Sequence, residues 1–150
     1  MVDVITSIEI DRPAHQVASF ASDPDNAPVW YVNIKEANWR TKKPLKVGSQ
    51  IDFVAHFMGK KMAYTYEVIV YTPDKLVMKT AQGPFPMQTT YTFSPLGENK
   101  TKMTLRNTGS PKGFSKIFAP FMEMMMRRAN THDLKRLKMI LERKKNIPAL

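Results

Sequence analysis

The most constraining feature of this sequence is a long helical stretch in its last third, residues 114–145, FSKIFAPFMEMMMRRANTHDLKRLKMILERKK. The stretch is rich in Met, Leu, Lys and Arg, which favour helix. Pro120 has no backbone N–H, so a helix must start or kink there. The pattern predicts a short helical turn over Phe114–Ala119 and a main helix from Pro120 to about Lys144. That helix is roughly 37 Å long, and it needs an apolar face to bury because isolated helices are marginal in water.

The apolar surface of this helix differs between its two halves. One seam follows spacings of three and four along the whole helix, through Met122, Met126, Asn130, Leu134, Leu137 and Leu141. A second apolar group flanks only the first half and comprises Phe118, Phe121, Met125 and Ala129. We therefore expect the first half to face an adaptable space and the leucine-rich second half to pack on a firm sheet surface.

The residues before the helix alternate between apolar and polar side chains, as antiparallel strands with one wet face do. The first strand covers residues 2–10. Asp11 and Pro13 then predict the N-cap and start of a short helix ending near Ser22, and a second short helix or turn carries residues 29–31. Six more strands follow, and in the first of them, residues 32–41, the alternation slips, which predicts a bulge.

Short connections between consecutive strands require antiparallel pairing. Each strand is polar on one side, and only one helix is long enough to cover the other side. The sequence therefore predicts an α+β fold in which a curved seven-stranded antiparallel sheet surrounds a long C-terminal helix, with two short helices after the first strand. We expect residues 1–150 to form a single domain.

The residue types argue against catalytic and metal-binding chemistry. The absence of cysteine excludes disulfides, thiol catalysis and cysteine-based metal sites. His15, His56 and His132 are scattered without the spacing of metal ligands, and neither a nucleophile-elbow serine nor a glycine-rich phosphate loop is present. Four strand carboxylates fall on outward rows: Asp3, Glu9, Asp52 and Glu67. We predict no catalytic residue, no metal and no cofactor.

The chain carries a net charge of +10, much of it on the long helix. Between Arg127 and Lys145 there are eight Lys or Arg and two acids, Asp133 and Glu142. Such a field attracts anionic membranes or nucleic acids, whereas the simpler interpretation is a solvated helix face. Since no nucleic-acid motif accompanies the charge, we predict no nucleic-acid partner, and weak contact with an anionic membrane surface stays open.

The N-terminal residues MVDVITSIEI form an alternating strand pattern and lack the basic start and continuous apolar run of a signal peptide. No apolar run approaches the roughly 20 residues of a membrane span. A chain without cysteine suits a reducing cytosol. We therefore expect a cytoplasmic protein.

The predicted inner face is aromatic and rich in methionine, a residue that lines adaptable binding surfaces. One helix does not easily fill the concavity of a curved sheet, so a cavity for an apolar ligand with one or two polar groups is one interpretation. Tyrosine hydroxyls would orient that ligand. The other interpretation is that the same side chains pack a dry core. The candidate ligand-binding residues are Phe53, Phe57, Tyr64, Tyr66, Met78, Met87, Tyr91, Phe118, Phe121, Met122, Met125 and Met126.

Three segments resemble a known family. Residues 8–30, IEIDRPAHQVASFASDPDNAPVW, contain the motif P-x-x-x-V-x-x-F followed by a tryptophan. Residues 83–105, GPFPMQTTYTFSPLGENKTKMTL, look like the family's sixth and seventh strands, and residues 113–142 look like its final helix with the ending DL-x-x-LK-x-x-LE. The chain resembles the START-related superfamily (SRPBCC) in its polyketide cyclase/dehydrase-like branch, essentially over its whole length.

The resemblance implies a helix-grip fold with a deep cavity between the sheet and the long helix. Members bind lipids, sterols, polyketides and other hydrophobic molecules, and a minority catalyse. There is no universal catalytic motif to carry over. The resemblance therefore favours the cavity over the dry core, and we predict binding or transport of a hydrophobic small molecule.

Two other functions stay open. The first is a cyclase or dehydratase acting on a polyketide-like substrate, which requires an ionisable residue inside the cavity. The second is a partner-binding or membrane-surface module that uses the basic helix. The ligand and the oligomeric state are not determined by the sequence.

Overall fold

The structure is a computed structural model that describes residues 2–57, 59–110 and 119–143. The strands are β1 Val2–Ile10, β2 Ile34–Trp39, β3 Gln50–Phe57, β4 Lys60–Thr72, β5 Lys75–Gln82, β6 Met87–Pro95 and β7 Thr101–Gly109. The helices are α1 Ala14–Ser22, α2 Ala27–Trp30 and α3 Ala119–Arg143, and a single 3-10 turn, Pro24–Asn26, lies between α1 and α2. This order confirms the predicted arrangement. The turn predicted over Phe114–Ala119 falls almost entirely outside the described residues.

All seven strands form one antiparallel sheet in the order β1-β7-β6-β5-β4-β3-β2. The first and last strands of the chain pair with each other, with Val2 opposite Gly109 and Ile10 opposite Thr101. The predicted bulge is present in β2, where the register shifts between Ile34 and Glu36. The sheet curls around α3, and the predicted helix-grip architecture is confirmed.

The start of α1 differs from the prediction. Pro13, not Asp11, occupies the N-cap position, and no side chain caps this helix. The connector between β1 and α1 instead holds the C-terminal end of α3: the Asp11 N–H donates to Glu142 Oε2 at 2.9 Å, and Arg12 Nε donates to the Leu141 carbonyl at 2.9 Å. These two hydrogen bonds fasten the connector to the last described turn of α3.

The second half of α3 is embedded in the main core. Leu134, Leu137 and Leu141 are buried there with Val17 of α1 and Trp30 of α2. The first half belongs to a separate, smaller cluster consisting of Val2, Val4 and Met122, with Phe57 and Met126 against it. The predicted difference between the two halves of the helix is therefore present, and the space between the two clusters holds the candidate site. None of the described helices is long and apolar enough to cross a membrane.

Candidate ligand cavity

A cavity of about 780 Å³ lies between the sheet and the first half of α3. Small-molecule sites in proteins usually measure about 300–1,000 Å³. Among the described side chains of α3, five line it: Met122, Met126, Ala129, Asn130 and Asp133. The cavity exists because these five positions, on one narrow face of one helix, do not fill the concave side of the curled sheet.

Nine of the twelve predicted ligand-binding residues line this cavity: Phe53, Phe57, Tyr64, Tyr66, Met78, Met87, Tyr91, Met122 and Met126. The structure does not bring Phe121 and Met125 to it. At about 100° per residue, Phe121 points away from the face that carries Met122 and Met126, and it is 45% exposed. Met125 is half-buried beside that face and does not line the cavity. Phe118 lies outside the described residues.

An aromatic wall forms where β3 and β4 pair. Phe53 stands directly opposite Tyr64 in the register, and the Phe53 ring centroid lies 5.7 Å from that of Tyr64 and 6.0 Å from that of Tyr66. The Tyr64 and Tyr66 rings meet edge to face at 5.0 Å. Alternate residues of one strand point to the same side, so the pattern places three rings together as a firm surface for an apolar ligand.

A chain of hydroxyl and amide groups crosses the next strands. The Thr89 hydroxyl donates to Asn107 Oδ1 at 2.7 Å, and the Tyr66 hydroxyl lies 2.8 Å from Thr89 Oγ1. Since Thr89 has one hydroxyl proton and gives it to Asn107, Tyr66 is the donor to Thr89. Burial raises the pKa of Tyr66 to about 12, although the hydrogen bond with Thr89 lowers it. Tyr66 is therefore a neutral group at physiological pH.

Two further tyrosines form a pair in the cavity wall. The Tyr31 hydroxyl lies 2.5 Å from the Tyr91 hydroxyl, and the Tyr31 ring rests on Trp30 with 4.0 Å between centroids. Burial is the main reason that the pKa of each tyrosine is well above its ordinary value. One hydroxyl proton is used within the pair. The second proton is available to a ligand.

A buried carboxyl group also lines the cavity. Asp133 is only 2% exposed, and its Oδ1 accepts a hydrogen bond from the Val32 backbone N–H at 2.8 Å. Burial raises the pKa of Asp133 to about 6, against the lowering effects of the Val32 hydrogen bond and the positive charge of Arg136. The other carboxyl oxygen, Oδ2, receives no hydrogen bond from the residues the structure describes. The cavity thus contains an acid that changes charge close to neutral pH.

Asn130 precedes Asp133 by three residues, so both lie on the same face of α3. Its side chain lines the cavity and is 6% exposed. Its amide Nδ2 is buried and has no hydrogen-bond partner in the described part of the chain. Because buried polar groups are nearly always paired, this unpaired amide at the cavity wall is a candidate position for a hydrogen bond to a ligand.

Sequence reasoning missed Tyr31, Asn130 and Asp133 as site residues. The available signal was Asn130 itself, since a polar residue in an otherwise apolar seam of α3 is out of place. Asp133, three residues later, lies in the run of basic residues whose simpler interpretation is a solvated helix face. We call Tyr31, Tyr91, Asn130 and Asp133 the polar end of the cavity, because Tyr31 and Tyr91 are hydrogen-bonded and both feel the charge of Asp133.

The cationic residues of the cavity lie elsewhere. Lys60 and Lys61 line it at the start of β4 and are exposed. The cavity therefore has a lysine end open to water and a polar end with one buried acid. No cluster of three or more His, Asp or Glu able to hold a metal ion occurs in residues 2–57, 59–110 and 119–143.

A curled sheet gripping one helix, with an apolar cavity between them, defines a helix-grip ligand-binding domain. The chain belongs to the family described as polyketide cyclase/dehydrase and lipid transport, whose sequence model matches residues 1–142. A search of curated proteins found no significant match.

Solved structures show the same fold at low sequence identity. The Zhui aromatase/cyclase from Streptomyces sp. R1128 superimposes with a TM-score of 0.81 at 11% identity, over 97% of this chain and 96% of that chain. A START superfamily protein from Mycobacterium smegmatis gives 0.79 at 18% identity, over 94% and 97%. A protein of Thermus thermophilus gives 0.79 at 20% identity, over 91% and 94%. These likenesses establish the architecture.

Proposed function

We propose that this protein binds and carries a hydrophobic small molecule, such as a lipid or a polyketide, in the cavity between the sheet and α3. The observation that carries the proposal is the cavity of about 780 Å³, whose lining is mostly apolar in surface and includes seven aromatic rings and five methionines. A ligand that buries about 300 Å² of apolar surface there gains roughly 7 kcal/mol. Lost freedom on binding offsets part of that gain, and because the cavity is already formed in the folded protein, little more is spent on ordering it.

The direct test is native mass spectrometry of the protein purified from cells, together with displacement of a fluorescent fatty-acid or polyaromatic probe. We expect a retained ligand or displaceable probe binding in the micromolar range. Ala129→Phe should fill the cavity from α3 and abolish binding. His132→Phe adds the same ring on the exposed side of that helix and is the matched control. Absence of both a retained ligand and probe binding in the unmodified protein would contradict the proposal.

One observation favours a second function, catalysis on a polyketide-like substrate. The enzyme alternative requires an ionisable group in the cavity, and Asp133 is such a group, with a pKa raised to about 6 by burial. A general acid or base works best with a pKa near the working pH. The test is cyclisation or dehydration of a polyketide analogue, followed by absorbance. Asp133→Asn should abolish turnover if Asp133 transfers a proton, and turnover that survives this change would exclude that role.

The outer side of α3 supports the membrane-surface alternative. We call its exposed residues the basic face: Phe121, Met124, Arg127, Arg128 and Lys135. Phe121 and Met124, which are 45% and 49% exposed, lie beside the cationic residues. Apolar side chains next to arginine and lysine are typical of helices that lie on anionic lipid surfaces. Such contact would bring a carrier to the place where its ligand is loaded.

A further inference from the structure

We propose that the cavity selects apolar ligands that carry a hydroxyl group, and that this hydroxyl binds between the side chains of Asn130 and Asp133. The inference rests on the proposed binding function and specifies the class of ligand. It is carried by two polar side chains, one turn apart on α3, that line the same cavity and are each incompletely hydrogen-bonded.

Each of the two side chains has one hydrogen-bonding atom without a partner, a donor in Asn130 and an acceptor in Asp133. Asn130 Nδ2 is a donor without a partner among the described residues. Asp133 uses Oδ1 to accept from the Val32 N–H, which leaves Oδ2 as an acceptor toward the cavity. In the protein interior each unpaired polar atom costs about 1–3 kcal/mol. A ligand that pairs both therefore recovers free energy that a purely apolar ligand does not.

Only some functional groups meet both needs. A hydroxyl group accepts from Asn130 Nδ2 through its lone pairs and donates its proton to the Asp133 carboxylate. A ketone accepts but does not donate, and an ammonium group donates but does not accept. A ligand carboxylate donates nothing and is repelled by ionised Asp133. Asn130 and Asp133 together therefore favour alcohols, enols and phenols at this position and disfavour carboxylates.

The rest of the cavity agrees with this orientation. The Tyr31 and Tyr91 pair retains one hydroxyl proton for a second ligand oxygen. The rings of Phe53, Tyr64 and Tyr66 are placed to receive the apolar body of the ligand. Among the described residues, the cations that line the cavity are Lys60 and Lys61 at the exposed start of β4, so an acidic group elsewhere on the ligand would face the lysine end.

The experiment compares three probes of one shape at pH 7.5: 2-naphthol, naphthalene and 2-naphthoate, each by fluorescence titration. We expect the unmodified protein to bind 2-naphthol about tenfold more tightly than naphthalene, the factor given by one hydrogen bond to a charged group, and 2-naphthoate most weakly. Asn130→Leu and Asp133→Asn should each bring the affinities for 2-naphthol and naphthalene close together, with naphthalene still bound. Asp133→Asn should also strengthen 2-naphthoate binding.

Glu123→Gln removes a carboxylate from the same helix outside the cavity lining and is the control, for which no change is expected. NMR tests the same contact in the unmodified protein. Bound 2-naphthol should slow hydrogen exchange of the Asn130 side-chain amide more than bound naphthalene does. Naphthalene binding also shows that each variant keeps its folded cavity.

The outcomes separate the two proposals. If naphthalene and 2-naphthol bind equally, or if neither substitution changes their ratio, the hydroxyl inference is wrong while the carrier proposal stands. If none of the three probes binds and no ligand is found by native mass spectrometry, the carrier proposal fails and the hydroxyl inference fails with it.

Discussion

The Val32 backbone N–H donates to Asp133 Oδ1 at 2.8 Å, joining residues that are 101 positions apart in the chain. This bond fastens the segment after α2 to the middle of α3, where the main core gives way to the cavity. It is also what holds the Asp133 carboxyl in a defined orientation. Burial nevertheless outweighs the bond, and the pKa of Asp133 is raised to about 6 from 3.8. The group is therefore fixed in position yet sensitive to pH.

The first prediction concerns the pH dependence of stability. A carboxyl whose pKa is higher in the folded state than in the unfolded state stabilises the fold when it is protonated. For Asp133 this stabilisation is fully present below about pH 3.8 and is lost as the pH rises to about 6. The difference between the two values corresponds to about 2–3 kcal/mol. Asp133→Asn is neutral at every pH and keeps an oxygen for Val32. We expect its free energy of unfolding to exceed that of the unmodified protein at pH 8, with the gap closing toward pH 4.

Urea denaturation at pH 4, 6 and 8 measures this difference. Glu123→Gln serves as the matched carboxylate control on the same helix. A gap between Asp133→Asn and the unmodified protein that stays constant over this range would show that Asp133 titrates as an exposed acid does.

The second prediction tests the two halves of α3. Leu137 is fully buried in the main core, so Leu137→Ala should cost about 2–5 kcal/mol of unfolding free energy. Met126 borders the cavity and has no packing contacts on the side that faces it. Met126→Ala should therefore lower the free energy of unfolding by only about 1 kcal/mol and enlarge the ligand site. Urea denaturation gives both values. Equal losses at the two positions would mean that the cavity wall is packed as tightly as the core.

Most of the fold was predictable because it depends on local patterns. Period-two alternation identified the strands, short connections required antiparallel pairing, and the run of Met, Leu, Lys and Arg identified the long helix. The slip in alternation after Ile34 identified the bulge in β2. The predicted cap at Asp11 was wrong because the first helical hydrogen bonds of α1, from the Gln16 and Val17 N–H groups, go to the Pro13 carbonyl, which makes Pro13 the N-cap. Asp11 instead donates its backbone N–H to Glu142, 131 positions away, and local patterns contain no information on such a contact.

The site was predictable only in its apolar part. Strand alternation shows which aromatic residues face inward, and these residues form the wall around Phe53. The polar end depends on long-range contacts: Tyr31 meets Tyr91 across 60 positions, and Asp133 meets Val32 across 101. A carboxylate in a run of basic residues looks solvated from the sequence alone. Its burial follows from the exact rotation of α3 about its axis, which also turns Phe121 outward.

The third prediction concerns the hydroxyl pair at the polar end. Tyr31→Phe or Tyr91→Phe leaves one buried hydroxyl without its partner at 2.5 Å, so each should cost about 1–2 kcal/mol of unfolding free energy. The double variant removes both hydroxyls and leaves neither unpaired. Its loss should therefore fall short of the sum of the single losses by about 1 kcal/mol, which a double-mutant cycle in urea measures. Strictly additive losses would show that the two hydroxyls do not interact.

The last prediction concerns the basic face of α3. Its cations attract anionic lipid while Phe121 and Met124 offer apolar contact, so the protein should bind vesicles containing phosphatidylserine and not vesicles of phosphatidylcholine alone. Added salt should weaken binding because it screens exposed charges. Reversing the three cations as Arg127→Glu, Arg128→Glu and Lys135→Glu should abolish sedimentation with anionic vesicles. A control with the same net charge reverses three exposed lysines on the sheet, Lys75→Glu, Lys79→Glu and Lys102→Glu, and should retain most binding. If both triple variants lose binding equally, total charge rather than the basic face is responsible, and docking through α3 is excluded.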